Sequence, residues 1–345
     1  MGPSVVLVTG VSRFVGAHLA ARLAADPEIG RVIGVDTLPP RGDLRRSLGR
    51  AEFIRADIRN PLIARVISSA EVDTVVHTAL SASAVGSGGR AAMKEMNVIG
   101  TMQLLAACQR SPCIRRLVLK STTAVYGSSP RDPAIFTEAM APKAMPPGGF
   151  AKDAAEIEGY VRGFGRRRPD VSVTMLRFAD LIGPRIDTAL TRYFALPVVP
   201  TALGYDARMQ LLHSEDALAV LEQATRNDVP GVFNVAASGV LMLSQAIRRT
   251  GHVQVSLPSA MVGPASQFFR GSRLLDFSSE QMRFLDFGRV VDTQLLRETF
   301  GFTPRWTTTQ AFDDFVRGRQ FRSVIPPSGW DAVEKGVLAA ARAIR

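Results

Sequence analysis

The sequence predicts an α/β fold: a doubly wound parallel sheet joined to a second, smaller α+β lobe. Three observations carry this expectation. Over residues 1–180 short β-branched runs alternate with longer helical patterns, the order that lays helices over both faces of a parallel sheet. The first of these runs passes directly through a glycine-bearing turn into an amphipathic helix. Beyond Gly183-Pro184 the alternation dissolves into short strands, Pro-rich turns and scattered helices. A boundary is therefore expected near residue 180, with 181–345 forming the smaller lobe and part of it returning to the sheet.

Taken in order, the strand candidates are residues 5–10 (VVLVTG), 31–36 (RVIGVD), 52–57 (EFIRAD), 73–79 (DTVVHTA), 115–121 (RRLVLKS) and 171–178 (VSVTMLRF). Residues 17–25 and 91–109 repeat apolar side chains at three- and four-residue spacing, as amphipathic helices do. A further helix fits 151–168, ended by Arg-Arg-Arg-Pro. Residues 139–150, with three Pro and two Gly, read as a loop entering it. The apolar stretch 267–277 is expected to pack within the smaller lobe.

A chain of 345 residues that is 46% apolar buries a full core, which excludes disorder and a disulfide-stapled miniprotein. The net charge of +11 comes from 37 Arg and only 5 Lys. That balance favours anionic partners. The arginine clusters at 41–46 and 165–170 contain no interleaved aromatics, however, so they read as solvated helix ends and nucleic acid is not the expected partner. Cys108 and Cys113 match neither redox nor zinc spacing and read as buried structural thiols, which fits a reducing cytoplasm. Neither a signal peptide nor an apolar run of ~18 residues is visible. The four His are far apart in sequence, without metal-ligand spacing.

The turn VTGVSRFVG, residues 8–16, ends the first strand and opens the first helix. Free backbone N–H groups and the helix dipole at such a place favour a pyrophosphate, as in Rossmann domains. Gly10 allows the tight turn and Gly16 the close packing of helix on sheet. Arg13 stands where bare backbone normally approaches the phosphates, so its guanidinium either contacts a phosphate or narrows the groove. Asp36, at the end of the second strand, places a carboxylate where it accepts hydrogen bonds from ribose hydroxyls and repels a 2′-phosphate, which favours NAD over NADP.

With these residues in place, the chain resembles an extended short-chain dehydrogenase/reductase of the NAD-dependent epimerase/dehydratase family, the group that includes UDP-galactose 4-epimerase. The likeness runs through VLVTGVSRFVG, VIGVD, RADIRNP (55–61), TVVHTA, NVIGTMQLL (97–105), LKSTTAVYGSS (119–129), TMLRFADLIGPR (174–185), QLLHSEDAL (210–218) and VFNVA (232–236). The resemblance implies NAD as cofactor and a nucleotide-sugar as substrate. It implies that Phe14 and Val15 flank the pyrophosphate, and Asp57 and Ile58 the adenine. Thr78, Ala79 and Leu80 would form the cofactor wall, supported by Asn97, with Phe150 facing the nicotinamide end. It also implies a homodimer joined through the helices that hold Asn97 and Phe150.

Catalysis in this family needs a Ser or Thr, a Tyr, and a Lys four residues after the Tyr. The Lys lowers the phenol's pKa so that it works as a base near neutral pH. Thr122 fills the first role. Aligning Y-x-x-x-K-x-x-x-E with FAKDAAEIE puts Phe150 at the Tyr, Ala154 at the Lys and Glu158 in register. The residues four after Tyr126, Tyr160, Tyr193 and Tyr205 are Pro130, Phe164, Pro197 and Met209, so the chain contains no Tyr-x-x-x-Lys. Lys152 is expected to point away from the site, and Tyr126 to serve packing. No Asp-Glu pair follows Thr122, which implies an epimerase-like rather than a 4,6-dehydratase branch. Asp180 replaces the Asn that meets the substrate phosphate, and Arg185 and Arg208 are weak substrate contacts. His213 and Asp216 read as strand-to-helix anchors. The expected function is an epimerase-type isomerase, most like a UDP-glucose 4-epimerase, with weak or altered activity; the alternative is a non-catalytic NAD(H) sensor or scaffold.

Overall fold

The computed structural model describes residues 2–82, 89–140, 149–258 and 278–321. The loop expected at 139–150 lies mostly outside the described residues, and the stretch 267–277 entirely so.

Seven strands form one parallel sheet: β1 (Val5–Thr9), β2 (Arg31–Asp36), β3 (Glu52–Arg55), β4 (Thr74–His77), β5 (Arg116–Thr122) and β6 (Ser172–Phe178), with a seventh from later in the chain. Between β6 and that strand come β7 (Asp180–Ile182), β8 (Val198–Ala202), β9 (Arg208–Met209) and β10 (Leu211–His213). The seventh sheet strand is β11 (Gly231–Val235), and β12 (Leu241–Met242), β13 (Val253–Leu257) and β14 (Gly288–Arg289) complete the series. The sheet order is β11-β6-β5-β4-β1-β2-β3. Strand order reverses between β1 and β4, and at that switch point the carboxyl ends of the strands leave an open crevice. The core strands are nearly continuous Val, Leu and Ile, as expected where both faces are covered.

Helix Phe14–Ala25 packs beside helix Ser214–Arg226, while helices Ile63–Ser69, Gly100–Arg110 and Gly149–Arg167 form a second row. The single helix expected over 91–109 is in fact three pieces. Helix Arg90–Lys94 passes through a π turn, Glu95–Ile99, into helix Gly100–Arg110. Such wide turns commonly mark functional positions, and this one contains Asn97.

The sheet and its helices enclose one apolar core, and a second cluster around Phe194, Met209, Phe312 and Phe315 lies among β7 to β10 and helix Thr308–Arg319. Cys108 is fully buried, which pushes its thiol up to about 12, whereas Cys113 is half-buried, contrary to expectation. Among the described residues no helix is long and apolar enough to cross a membrane.

Candidate functional site

A cavity of about 990 Å³ opens over the switch point. Its first wall is the turn after β1. Gly10 adopts φ +82°, a conformation that favours glycine. Its backbone lies so close to Ala79 that a Cβ would sit 2.8 Å from Ala79 Cα. Helix Phe14–Ala25 starts at Arg13 with no side-chain cap and no acidic residue in its first turn. Its leading N–H groups therefore lack a side-chain partner, which suits an anion. Phe14, Val15 and Gly16 line the cavity here.

A Cβ on Gly16 would approach the Gly10 carbonyl carbon to 2.7 Å. Both partners are backbone, so Gly16→Ala is expected to destabilise the fold by about 3 kcal/mol. Urea denaturation measures this, and a loss under 0.5 kcal/mol would show that the turn yields.

The second wall follows β4. Thr78, Leu80 and Ser81 line the cavity. Asn97 holds this wall from behind: its Oδ1 accepts from Ser81 N (2.9 Å) and its Nδ2 donates to Ser81 O (3.0 Å). Beneath it His77 bridges Thr9 and Thr101 (2.7 and 2.9 Å), and burial together with nearby Lys120 pushes its imidazole down to about 4.

The floor is the end of β5, where Thr122 and Lys120 reach the cavity. Thr122 Oγ1 accepts from Ala124 N (3.1 Å), which leaves its O–H free to donate. Ser121 also borders the cavity, and its hydroxyl donates to Glu158 (2.7 Å). Glu158 forms a two-point ion pair with Arg177 (2.9 and 2.7 Å).

Phe150 presents its ring to the cavity from the first turn of helix Gly149–Arg167, whereas Ala154, one turn on, is fully buried and outside the lining. Arg90 fixes that first turn by pairing with buried Asp153 (2.7 Å to each oxygen) and donating to Gly149 O (2.8 Å). Lys152 is not on the lining.

The far wall belongs to the smaller lobe. Asp180 lines the cavity, and burial raises its carboxyl above the ordinary range although Arg289 acts in the opposite sense. Arg185 stands on the rim, 5.9 Å from the Phe14 ring, and pairs with Glu215 (3.3 Å). Arg208 is outside the lining and donates to Ala134 O (2.9 Å).

Gly10, Asp36, Asp57, Ile58, Ala79 and Asn97 also lie outside the lining. Each has a partner within the chain. Asp36 Oδ2 accepts from Ser12 N (2.9 Å) and Oγ (2.6 Å), and its Oδ1 accepts from Thr37 N (2.8 Å). Asp57 is paired with Arg59 (2.6 Å), and Ile58 packs against Gly100. Arg13 faces the cavity, with Nη1 3.4 Å from Ala79 O.

Tyr126 is outside the lining as well. It accepts from Arg177 (2.7 Å), donates to Asn234 (2.8 Å) and stacks on Phe136. His213 caps helix Ser214–Arg226, stacks on Trp306 and meets Asp314 at 3.2 Å; Asp216 accepts from Arg305 N and Trp306 N. Both are anchors. Lys120, Ser12 and Arg289 were not singled out by sequence reasoning. Lys120 lies inside the LKSTTAVYG run, and its signal is a cation two residues before Thr122 on a strand.

Comparison with known proteins places this geometry. A solved UDP-glucose 4-epimerase from Thermotoga maritima, with UDP-glucose, superposes with a TM-score of 0.70 at 19% identity, covering 92% of this chain and 98% of that one. A dTDP-glucose 4,6-dehydratase from Bacillus anthracis, in complex with NAD, gives 0.71 at 18% identity, covering 92% and 96%. At these identities the likeness is one of fold. An uncharacterized protein of Mycobacterium tuberculosis is 54% identical over 325 residues, 94% of this chain and 86% of that protein. Residues 6–236 match the model of the NAD dependent epimerase/dehydratase family. With its glycine turn at the switch point and Thr122 at the end of β5, the chain belongs to the NAD dependent epimerase/dehydratase family.

Proposed function

We propose that the cavity holds NAD(H) beside a nucleotide-sugar, and that the protein is an epimerase-type member, most like a UDP-glucose 4-epimerase, without the Tyr–Lys proton relay. The observation that carries this is the pairing of the glycine turn at Gly10 and Gly16 and of Thr122 with the Phe150 ring where a phenol would stand. In this reading the uncapped N–H groups at Phe14 and Val15 receive the diphosphate. Asp36, oriented by Ser12, meets the adenosine ribose at its remaining acceptor capacity, and Asp57 and Ile58 border the adenine. Gly10 and Ala79 set how closely the backbone approaches the cofactor, Thr78 and Leu80 form its wall with Asn97 behind them, and Phe150 covers the nicotinamide end.

Bound NAD would supply a reversible hydride acceptor. Thr122 donates a hydrogen bond to a sugar hydroxyl, and neither Phe150 nor Ala154 can take its proton. Loss of a proton-transfer residue slows a reaction by ~10²- to 10⁴-fold. Slow turnover is therefore expected in a hydride-exchange assay with a panel of UDP-sugars, on protein shown by native mass spectrometry to carry NAD. Absence of any exchange would overturn the epimerase reading. The sealed position of Ala154 favours a second reading, a non-catalytic NAD(H)-responsive protein. That reading requires a partner whose affinity differs between the oxidised and reduced forms.

A homodimer through helices Gly100–Arg110 and Gly149–Arg167 belongs to the same proposal. Ile99, Met102 and Tyr160 expose 42%, 40% and 39% of their surface on these adjacent helices and the turn before them. Ile99→Arg with Met102→Glu is expected to halve the mass seen by light scattering. An unchanged mass would place the interface elsewhere.

A further inference from the structure

Among the described residues Lys120 and Arg13 face the cavity without a carboxylate in ion-pair contact, and the wall each comes from decides what they can hold. Register pairs Lys120 with Leu176 and Thr122 with Phe178. Alternate residues of a strand share a face, so Lys120, Thr122 and Phe178 share one, opposite the Ser121 hydroxyl that donates to Glu158. Lys120 Nζ lies 5.6 Å from the Phe178 ring centroid. Among the described residues it has neither a hydrogen-bond nor an ion-pair partner.

Arg13 comes from the opposite wall, the turn that opens helix Phe14–Ala25. Among the described residues its guanidinium makes a single hydrogen bond, the long contact with Ala79 O at 3.4 Å. Both cations line the same cavity, and the charge of Arg13 acts on Lys120 to lower its affinity for a proton. Like charges held together in a half-buried cavity repel unless an anion lies between them. The uncapped start of helix Phe14–Ala25, Arg13 and Lys120 line one cavity, so a diphosphate received at that helix start would lie within reach of both cations.

We propose that Lys120 and Arg13 form a two-cation clamp for the diphosphate of the cavity's ligand, with Lys120 supplying positive charge from the strand floor. The identity of that ligand as NAD rests on the function proposed above; the clamp itself does not. Burial, with Arg13 nearby, brings the Lys120 ammonium down to about 8. The other groups around it are His77 on β4, which is neutral at that pH, Asp36 facing Arg13, and His18 and Asp180 on the cavity walls. Below pH 8 the free protein already carries the ammonium. Above it, diphosphate binding draws a proton onto Lys120, so affinity falls as pH rises.

The test is calorimetry on the full chain with inorganic pyrophosphate and with NAD+, at pH 7.5 and 9 and in buffers of different ionisation enthalpy. Wild type is expected to bind NAD+ about tenfold more weakly at pH 9, with uptake approaching one proton, while pyrophosphate, which titrates in this range itself, is compared at pH 7.5 only. Lys120→Met is expected to bind both roughly tenfold more weakly at pH 7.5, with no proton uptake. Lys120→Arg should keep the affinity and lose the pH dependence. Pyrophosphate binding that depends on Lys120, without NAD+ binding, would sustain the clamp and overturn the NAD reading. Unchanged affinity in a folded Lys120→Met protein, or proton uptake that survives the substitution, would overturn the clamp. Binding of neither probe by wild type would overturn both.

Discussion

Arg177→Met is expected to lower the free energy of unfolding by ~3 kcal/mol, because it removes the buried two-point partner of Glu158 and leaves the carboxylate only Ser121 and the half-exposed Arg162. The Arg177 side chain is 8% exposed and Glu158 2%. The guanidinium also donates to Tyr126 Oη (2.7 Å) and Glu138 O (3.2 Å), so it ties β6 to the turn after β5 and to the helix that carries Phe150. Burial alone would raise the Glu158 carboxyl, but the hydrogen bonds and charge of Arg177, with Ser121 and Arg162, hold it below its ordinary value.

The sign follows from that depression. The pair's contribution is fully present above the unfolded carboxylate value of 4.5 and is lost as pH falls through the lower folded value. Urea denaturation across pH 3–7 should show the difference between wild type and variant shrinking towards acid. Glu158→Gln in the Arg177→Met background should recover part of the loss, since no charge is then left behind. A single-variant loss below 1 kcal/mol would mean that water reaches Glu158.

Restoring the relay is the second large effect. Phe150→Tyr with Ala154→Lys is expected to raise UDP-sugar epimerisation by ~10²- to 10⁴-fold. The Phe150 ring already faces the cavity, so a phenol needs no rearrangement to enter it. Ala154 is enclosed by the core, so the added lysine is expected to destabilise the protein by ~1–3 kcal/mol and lower its melting temperature. Continued silence in a double variant that still binds NAD would show that the smaller lobe no longer accepts the sugar nucleotide. A gain from Phe150→Tyr alone, equal to that of the pair, would mean that the cavity already contains the necessary positive charge, for which Lys120 is the available group.

What could be read from the sequence follows from the range of the interactions involved. The six sheet strands and the turn that joins the first of them to its helix depend on local pattern, and the residues alone disclosed them. The π turn at Glu95–Ile99 did not show, because apolar spacing through Met96 and Val98 fits an ordinary helix; what distinguishes it is Asn97 reaching Ser81 across the wall. Asp36 reads as an open carboxylate in sequence, and only the fold reveals Ser12 occupying one of its oxygens. Lys120 went unremarked because a lysine near the end of a strand looks solvated until Phe178 and Arg13 are brought around it. The lobe strands β7 to β10, two to five residues long, carry too little periodicity to be assigned locally.

The fastening of helix Ser214–Arg226 bears on how the cavity admits a ligand. One flank of this helix lies on the sheet layer beside helix Phe14–Ala25, joined by the Arg22–Glu215 ion pair. Its first turn is tied through Asp216 and His213 to Arg305, Trp306 and Asp314 of the other lobe. The helix thus fastens the sheet layer to the other lobe, and a hinge opening between them would have to break these ties, whereas Arg185, exposed on the cavity rim, can turn aside without doing so.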